Sequence, residues 1–181
     1  MGRNALEAAI NALVEDGDAI PDTIQVVREK YQDREAVVAA TFRRSSGPLV
    51  RGFVGLFTRD DGFGWRAGGG WSSRPRDIPA EAIWASSGGW SSTGHTEHPG
   101  VDEEAPLTGV PARGVSGGWV NDPTARYLRV TDPNRRIEED TIQAGVAILI
   151  WEGDFDVWHA TAELLDEEGQ VIRTGPMRPR G

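Results

Sequence analysis

The first part of the chain has apolar residues at helical spacing. One stripe lies within residues 4–16, which we predict to be an amphipathic helix. Asn4 suits the N-cap, Glu7 follows three residues later as in a capping box, and Gly17 is a typical stop. The stripe consists of Leu6, Ile10, Leu13 and Val14.

A second stripe follows within residues 21–32. Pro21 suits the first turn of a helix, and Asp22 favours the positive end of its dipole. The spacing of Ile24, Val27 and Tyr31 then predicts a second short helix.

From residue 35 onward, short runs rich in β-branched and aromatic residues alternate with turn residues. At least seven such runs predict strands. They include residues 35–44, 49–58, 63–67, 126–131, 141–151, 155–165 and 170–174. Residues 146–151 are apolar at every position, which is typical of a central strand buried on both faces. The pattern predicts an antiparallel β-sandwich behind two short helices.

Residues 160–172 indicate a particular type of sandwich. They read as two strands joined by an acidic turn that ends at Gly169. This segment resembles the terminal hairpin of immunoglobulin-like modules, and the resemblance implies an immunoglobulin-like sandwich. We therefore expect a helical segment at 1–34, one β-sandwich domain at 35–175 and a frayed tail at 176–181.

The least regular part of that domain is a long excursion at residues 65–119. Two copies of a Trp-Gly pattern occur there, at 65–73 and 84–92. In each copy two tryptophans lie six positions apart, and Trp119 ends a third, shorter copy. Tryptophan faces stack on ligands and glycines allow close approach, so Trp71, Trp90 and Trp119 are candidate ligand-binding residues. The alternative is that these tryptophans fill the core of the sandwich.

A second candidate site lies inside the excursion. His95, Glu97 and His98 could ligate a divalent metal, together with the acidic run at 102–104. Their spacing differs from the helical motif of zinc proteases, and a solvated acidic loop is the alternative.

Two further groups have weaker signals. Ser116 lies between glycines, but β-like residues follow where a nucleophile elbow requires a helix. Asp154 and Asp156 could hold calcium, although such pairs commonly stabilise turns.

The composition narrows the classes of function. A net charge of -9 argues against nucleic-acid binding, which needs clustered basic residues. Cysteine is absent, which excludes disulfides and thiolate sites. No apolar run is long enough for a transmembrane segment or export signal, so we expect a soluble cytoplasmic protein.

Taken together, these features favour a non-enzymatic β-sandwich module that binds a protein partner or a small ligand through residues 65–119. We expect no cofactor, and a homo-oligomer is one form that the partner could take. Two alternatives remain: a carbohydrate-binding module that uses exposed tryptophans, and a metal-dependent enzyme that uses residues 95–104.

Overall fold

A computed structural model of the chain describes residues 2–58, 64–73, 85–92, 113–153, 155–157 and 159–177. Within these residues it has one α-helix, α1 (Ala5–Glu15), one 3₁₀ turn (Pro21–Thr23) and eleven strands. The strands are β1 (Gln25–Gln32), β2 (Glu35–Arg43), β3 (Leu49–Thr58), β4 (Trp65–Ser73), β5 (Ala85–Ser92), β6 (Arg113–Trp119), β7 (Tyr127–Thr131), β8 (Ile137–Thr141), β9 (Val146–Glu152), β10 (Thr161–Leu165) and β11 (Val171–Pro176).

The predicted first helix is confirmed as α1. The Asn4 side chain accepts a hydrogen bond from the Glu7 backbone N–H at 2.8 Å, which satisfies one of the donors left open at a helix start. The Glu7 carboxylate accepts from the backbone N–H of Arg3, also at 2.8 Å. At the other end the Gly17 N–H donates to the Ala12 carbonyl.

The predicted second helix is wrong. Pro21 begins only a single 3₁₀ turn, and residues 25–32 form β1. β1 pairs with β2 from Gln25 to Gln32, and Asp33 adopts a positive φ of 50° in the tight turn between the two strands. The helical spacing of apolar residues was misleading because Ile24 and Val27 pack against two different apolar clusters, while about half of Tyr31 is exposed.

The first four strands form an antiparallel meander in the order β1-β2-β3-β4, here called the N-terminal sheet. Helix α1 packs against one face of this sheet. β2 is buried on both faces, because Val38 and Ala40 contact the helix side while Val37 and Ala39 face the opposite side.

Two more antiparallel sheets follow. The middle sheet has the order β5-β6-β9, and the C-terminal sheet has the order β11-β10-β7-β8. β9 is buried on both faces, as predicted: Ile148 and Ile150 share an apolar cluster with the N-terminal sheet, while Leu149 and Trp151 share another with the C-terminal sheet. The middle sheet therefore lies between the other two.

The predicted terminal hairpin is also confirmed. β10 pairs with β11, and Gly169 supplies the positive φ of 77° that the turn requires. The prediction of a mainly β, antiparallel chain is thus correct, while the immunoglobulin-like sandwich stays a prediction. Within the described residues, no helix has the length and apolar character needed to cross a membrane.

Candidate functional site

The three Trp-Gly segments coincide with strands β4, β5 and β6. Three parts of the excursion that we predicted to be irregular are thus regular, although the domain boundaries themselves stay a prediction. A glycine-rich strand is hard to predict from sequence, because glycine contributes no side chain to the apolar–polar alternation that indicates a strand. In the backbone register Trp71 pairs with Phe53, Trp90 with Val115 and Trp119 with Val146. The side chains of Trp71 and Trp90 lie outside the described part.

Glycines of β6 make room for aromatic rings on both faces of the middle sheet. A Cβ at Gly117 would come within 2.6 Å of Phe53 Cε1 and closer still to Cδ1. A Cβ at Gly114, on the other face, would overlap the Trp151 indole. The glycines of the third Trp-Gly segment therefore allow aromatic rings to pack closely between the sheets.

Trp119 lies at the end of β6, between the middle and N-terminal sheets, and is only 5% exposed. Its ring centroid lies 5.7 Å from that of Phe53. The guanidinium carbon of Arg51, on β3, lies 4.8 Å from the Trp119 centroid, which is cation–π distance. Of the three predicted ligand-binding tryptophans, Trp119 is the one whose side chain the structure describes, and it is not an exposed platform.

The indole N–H of Trp119 is the most unusual feature of this cluster. Nε1 is buried and has no hydrogen-bond acceptor among the described residues. Buried donors almost always find a partner, since an unpaired one costs about 1–3 kcal/mol. Arg51 offers no acceptor, because a guanidinium only donates.

Arg51 is in a similar position. Its side chain is partly buried and contacts the Trp119 ring. Within the described chain, its guanidinium forms no hydrogen bond and no ion pair. The indole N–H and the neighbouring guanidinium are thus two donors to which the described residues supply no acceptor. What fits such a place chemically is an oxygen that accepts hydrogen bonds.

A buried charge network holds the strand beside this cluster. Arg28 Nη1 donates to Asp140 Oδ2 at 2.6 Å and Nη2 to Oδ1 at 3.0 Å, while Lys30 Nζ donates to Oδ1 at 2.8 Å. The Ile148 backbone N–H completes the set with a bond of 2.6 Å to Oδ2. Four donors therefore surround one carboxylate whose side chain is 5% exposed.

The same network joins all three sheets. Arg28 and Lys30 lie on β1, Asp140 on β8, and both cations also donate to carbonyls of β9. The carbonyl bound by Arg28 belongs to Val146, which pairs with Trp119 in the register of β6 and β9. The network thus fixes the strand against which Trp119 is positioned.

The predicted metal ligands His95, Glu97 and His98 lie outside the described residues, as does the acidic run at 102–104. Within the described ranges no group of three metal-ligating side chains converges. The remaining described histidine, His159, is exposed and contacts Asp156, with Nδ1 2.7 Å from Oδ2.

Ser116 does not lie in a nucleophile elbow. β6 runs through it without a turn, and the side chain is 1% exposed. A nucleophile needs access to its substrate, so this serine is placed for packing.

Titratable groups with shifted pKa values lie outside this cluster. Burial, followed by the hydrogen bond to Glu29, raises the pKa of Tyr31 to about 12. Burial also raises the pKa of Glu138, against the attraction of Arg136 and Lys30. Hydrogen bonds from Thr124 lower the pKa of Asp122.

No family model, curated protein or solved structure matches this chain. Function must therefore be argued from its own residues. Sequence reasoning identified Trp119 but missed Arg51 and Phe53, which are far from it along the chain. It also missed the buried network, for which one signal existed: Lys30 is the only lysine.

Proposed function

We propose that this chain is a non-enzymatic ligand-binding module whose site is centred on Trp119, with Arg51 and Phe53 beside it. The observation that supports this most directly is the buried indole N–H without an acceptor. A ligand that brings an acceptor oxygen would recover the about 1–3 kcal/mol that the unpaired donor costs. This gain in free energy arises only when the ligand is bound, so it favours binding.

The surrounding strands fit this role. Gly117 lets Phe53 approach the middle sheet, so the aromatic wall of the site is formed by two sheets rather than one. The Arg28–Asp140–Lys30 network keeps the sheets in register around it. We also propose that the middle and C-terminal sheets form an immunoglobulin-like sandwich, since β9 and the C-terminal sheet share one apolar cluster.

The other predicted functions have less support. A carbohydrate platform needs at least two exposed tryptophans among the three candidates, and it now depends on both Trp71 and Trp90, because Trp119 is buried. A metal-dependent enzyme depends on residues 95–104, which lie outside the described chain. A protein partner remains compatible with the proposed site, since a backbone carbonyl is also an acceptor.

Nuclear magnetic resonance of the ¹⁵N-labelled protein tests the proposal. The Trp119 indole resonance is assigned by its loss in Trp119→Phe. The protein is then screened with neutral saccharides, amides, carboxylic acids and amines. We expect at least one class to shift this resonance saturably, and to bind Trp119→Phe more weakly.

Trp65→Phe is the matched control. Trp65 is partly buried on the helix side of the N-terminal sheet, away from the Trp119 cluster, and packs edge-on against Tyr31. Ligand affinity should be unchanged in this variant. A screen in which no compound moves the Trp119 resonance, or in which both variants bind equally well, would contradict the proposed site.

A further inference from the structure

The electrostatic character of the Trp119 cluster points to one class of ligand. Arg51 supplies a permanent positive charge, and the indole supplies a donor that cannot accept. No carboxylate of the described chain forms an ion pair with Arg51. A neutral acceptor would satisfy the indole alone and leave the guanidinium uncompensated.

We infer that this site takes a carboxylate group, held jointly by the Arg51 guanidinium and the Trp119 indole N–H. The inference rests on the function proposed above and names its ligand class. One oxygen would accept from Nε1 at the ring edge, and the other from the guanidinium above the ring. The two oxygens of a carboxylate are suited to such divided contacts.

The position of Arg51 over the Trp119 ring supports this assignment. A guanidinium that lies over an aromatic ring uses its flat face for the ring and keeps its N–H groups, which lie in its plane, for an acceptor. The guanidinium carbon lies 4.8 Å from the ring centroid, so the guanidinium and the indole are direct neighbours. A lysine could not divide its contacts in this way.

Charge matching selects a monoanion. The cluster contains one cation, whereas the chain as a whole has a net charge of -9. A phosphate with nearly two negative charges would meet a single compensating group in an acidic protein. A carboxylate balances Arg51 one to one.

The test measures binding of benzoate to the full chain through the Trp119 indole resonance. Benzamide is the neutral isostere, and inorganic phosphate is the alternative oxyanion. We expect benzoate to bind at least about tenfold more tightly than benzamide, because charge-assisted hydrogen bonds are the stronger ones. Added salt should weaken benzoate binding, since screening acts on the charged pair.

Variants assign the two donors. Arg51→Gln should weaken benzoate binding about tenfold or more, and Arg51→Lys should recover only part of this loss. Trp119→Phe keeps the ring face but removes the N–H, and should cost about fivefold, measured by ligand-observed resonance. Arg66→Gln is the matched control, since Arg66 also covers an aromatic ring, that of Phe57 at 4.5 Å, and should leave binding unchanged.

The outcomes separate this inference from the proposed function. If a neutral compound shifts the Trp119 resonance and benzoate does not, the carboxylate assignment is wrong while ligand binding at the site stands. Phosphate binding more tightly than benzoate would also overturn it, as would unchanged benzoate affinity in an Arg51→Gln variant whose backbone spectrum matches the wild type. If neither benzoate nor any screened compound moves the resonance, both proposals fail.

Discussion

Replacing Asp140 by Asn removes the one negative charge that three parts of the fold share. The substitution keeps the shape of the side chain. It leaves Arg28 and Lys30 without their carboxylate, and it puts an amide N–H₂ where two cations and the Ile148 N–H all donate. At least one donor must then face another donor.

The expected magnitude follows from burial. The Arg28 side chain is 7% exposed and cannot reach water, whereas Lys30 is 25% exposed and can partly turn outward. Breaking a buried pair by removing one partner costs about 3–5 kcal/mol, and we expect the cost here to arise mainly from Arg28. Domains of this kind have a free energy of unfolding of about 5–15 kcal/mol, so the variant should be close to unfolding.

Urea unfolding followed by circular dichroism measures this loss. Glu139→Gln is the control: it changes the neighbouring residue of β8, whose ion pair with Arg129 is exposed, and should cost about 0–1 kcal/mol. Converting Arg28 to Met and Asp140 to Leu together should cost less than Asp140→Asn alone, because the more deeply buried cation is removed with the carboxylate, while Lys30 can partly turn outward. A loss below about 1 kcal/mol for Asp140→Asn, at an unchanged urea dependence, would refute this view of the network.

Three further predictions address other parts of the molecule. Gly117→Ala should lower the free energy of unfolding by about 1–3 kcal/mol through overlap with the Phe53 ring, and Phe53→Leu in the same chain should recover part of it, as urea unfolding would show. Tyr127→Phe leaves Tyr31 as the one tyrosine of the chain, so absorbance at 295 nm should titrate near pH 12, the raised pKa of Tyr31. The free energy of unfolding should fall as pH rises from 10 to 12, since the tyrosine ionises first in the unfolded chain. A titration midpoint near pH 10 would contradict this. Glu138→Gln should raise the free energy of unfolding at pH 7, because burial disfavours the ionised Glu138 carboxylate. The gain should be smaller at pH 4, where the carboxyl is largely protonated. Equal shifts of the thermal melts at both pH values would contradict this.

The sequence predicted those elements whose own residues indicate whether each face is buried or exposed. β9 could be predicted because an unbroken apolar run needs apolar neighbours on both faces. α1 could be predicted because its cap and stripe are local. β1 could not, because its pairing with β2 overrides a weak helical spacing, and the alternation of Arg28 and Lys30 was hidden by their charge.

The candidate site was predictable only in part. Trp119 was identified by its type and its glycine neighbours, but its contacts with Arg51 and Phe53 join β6 to β3 and depend on how two sheets meet. Asp140 ends an acidic run that looks solvated in the sequence, while the strand alternation turns it inward and leaves Glu139 outside. Neither feature has a local signature.

β6 now explains why tryptophan and glycine occur together at the end of the excursion. Gly117 admits the Phe53 ring, and that ring together with Arg51 encloses Trp119. Of these described neighbours, one is an apolar ring and the other is a group that only donates, so both pack against the indole and neither offers an acceptor to its N–H. The glycines serve packing, and under the function proposed above the same packing sets the selectivity of the site, because a buried donor without an acceptor favours a ligand that brings one.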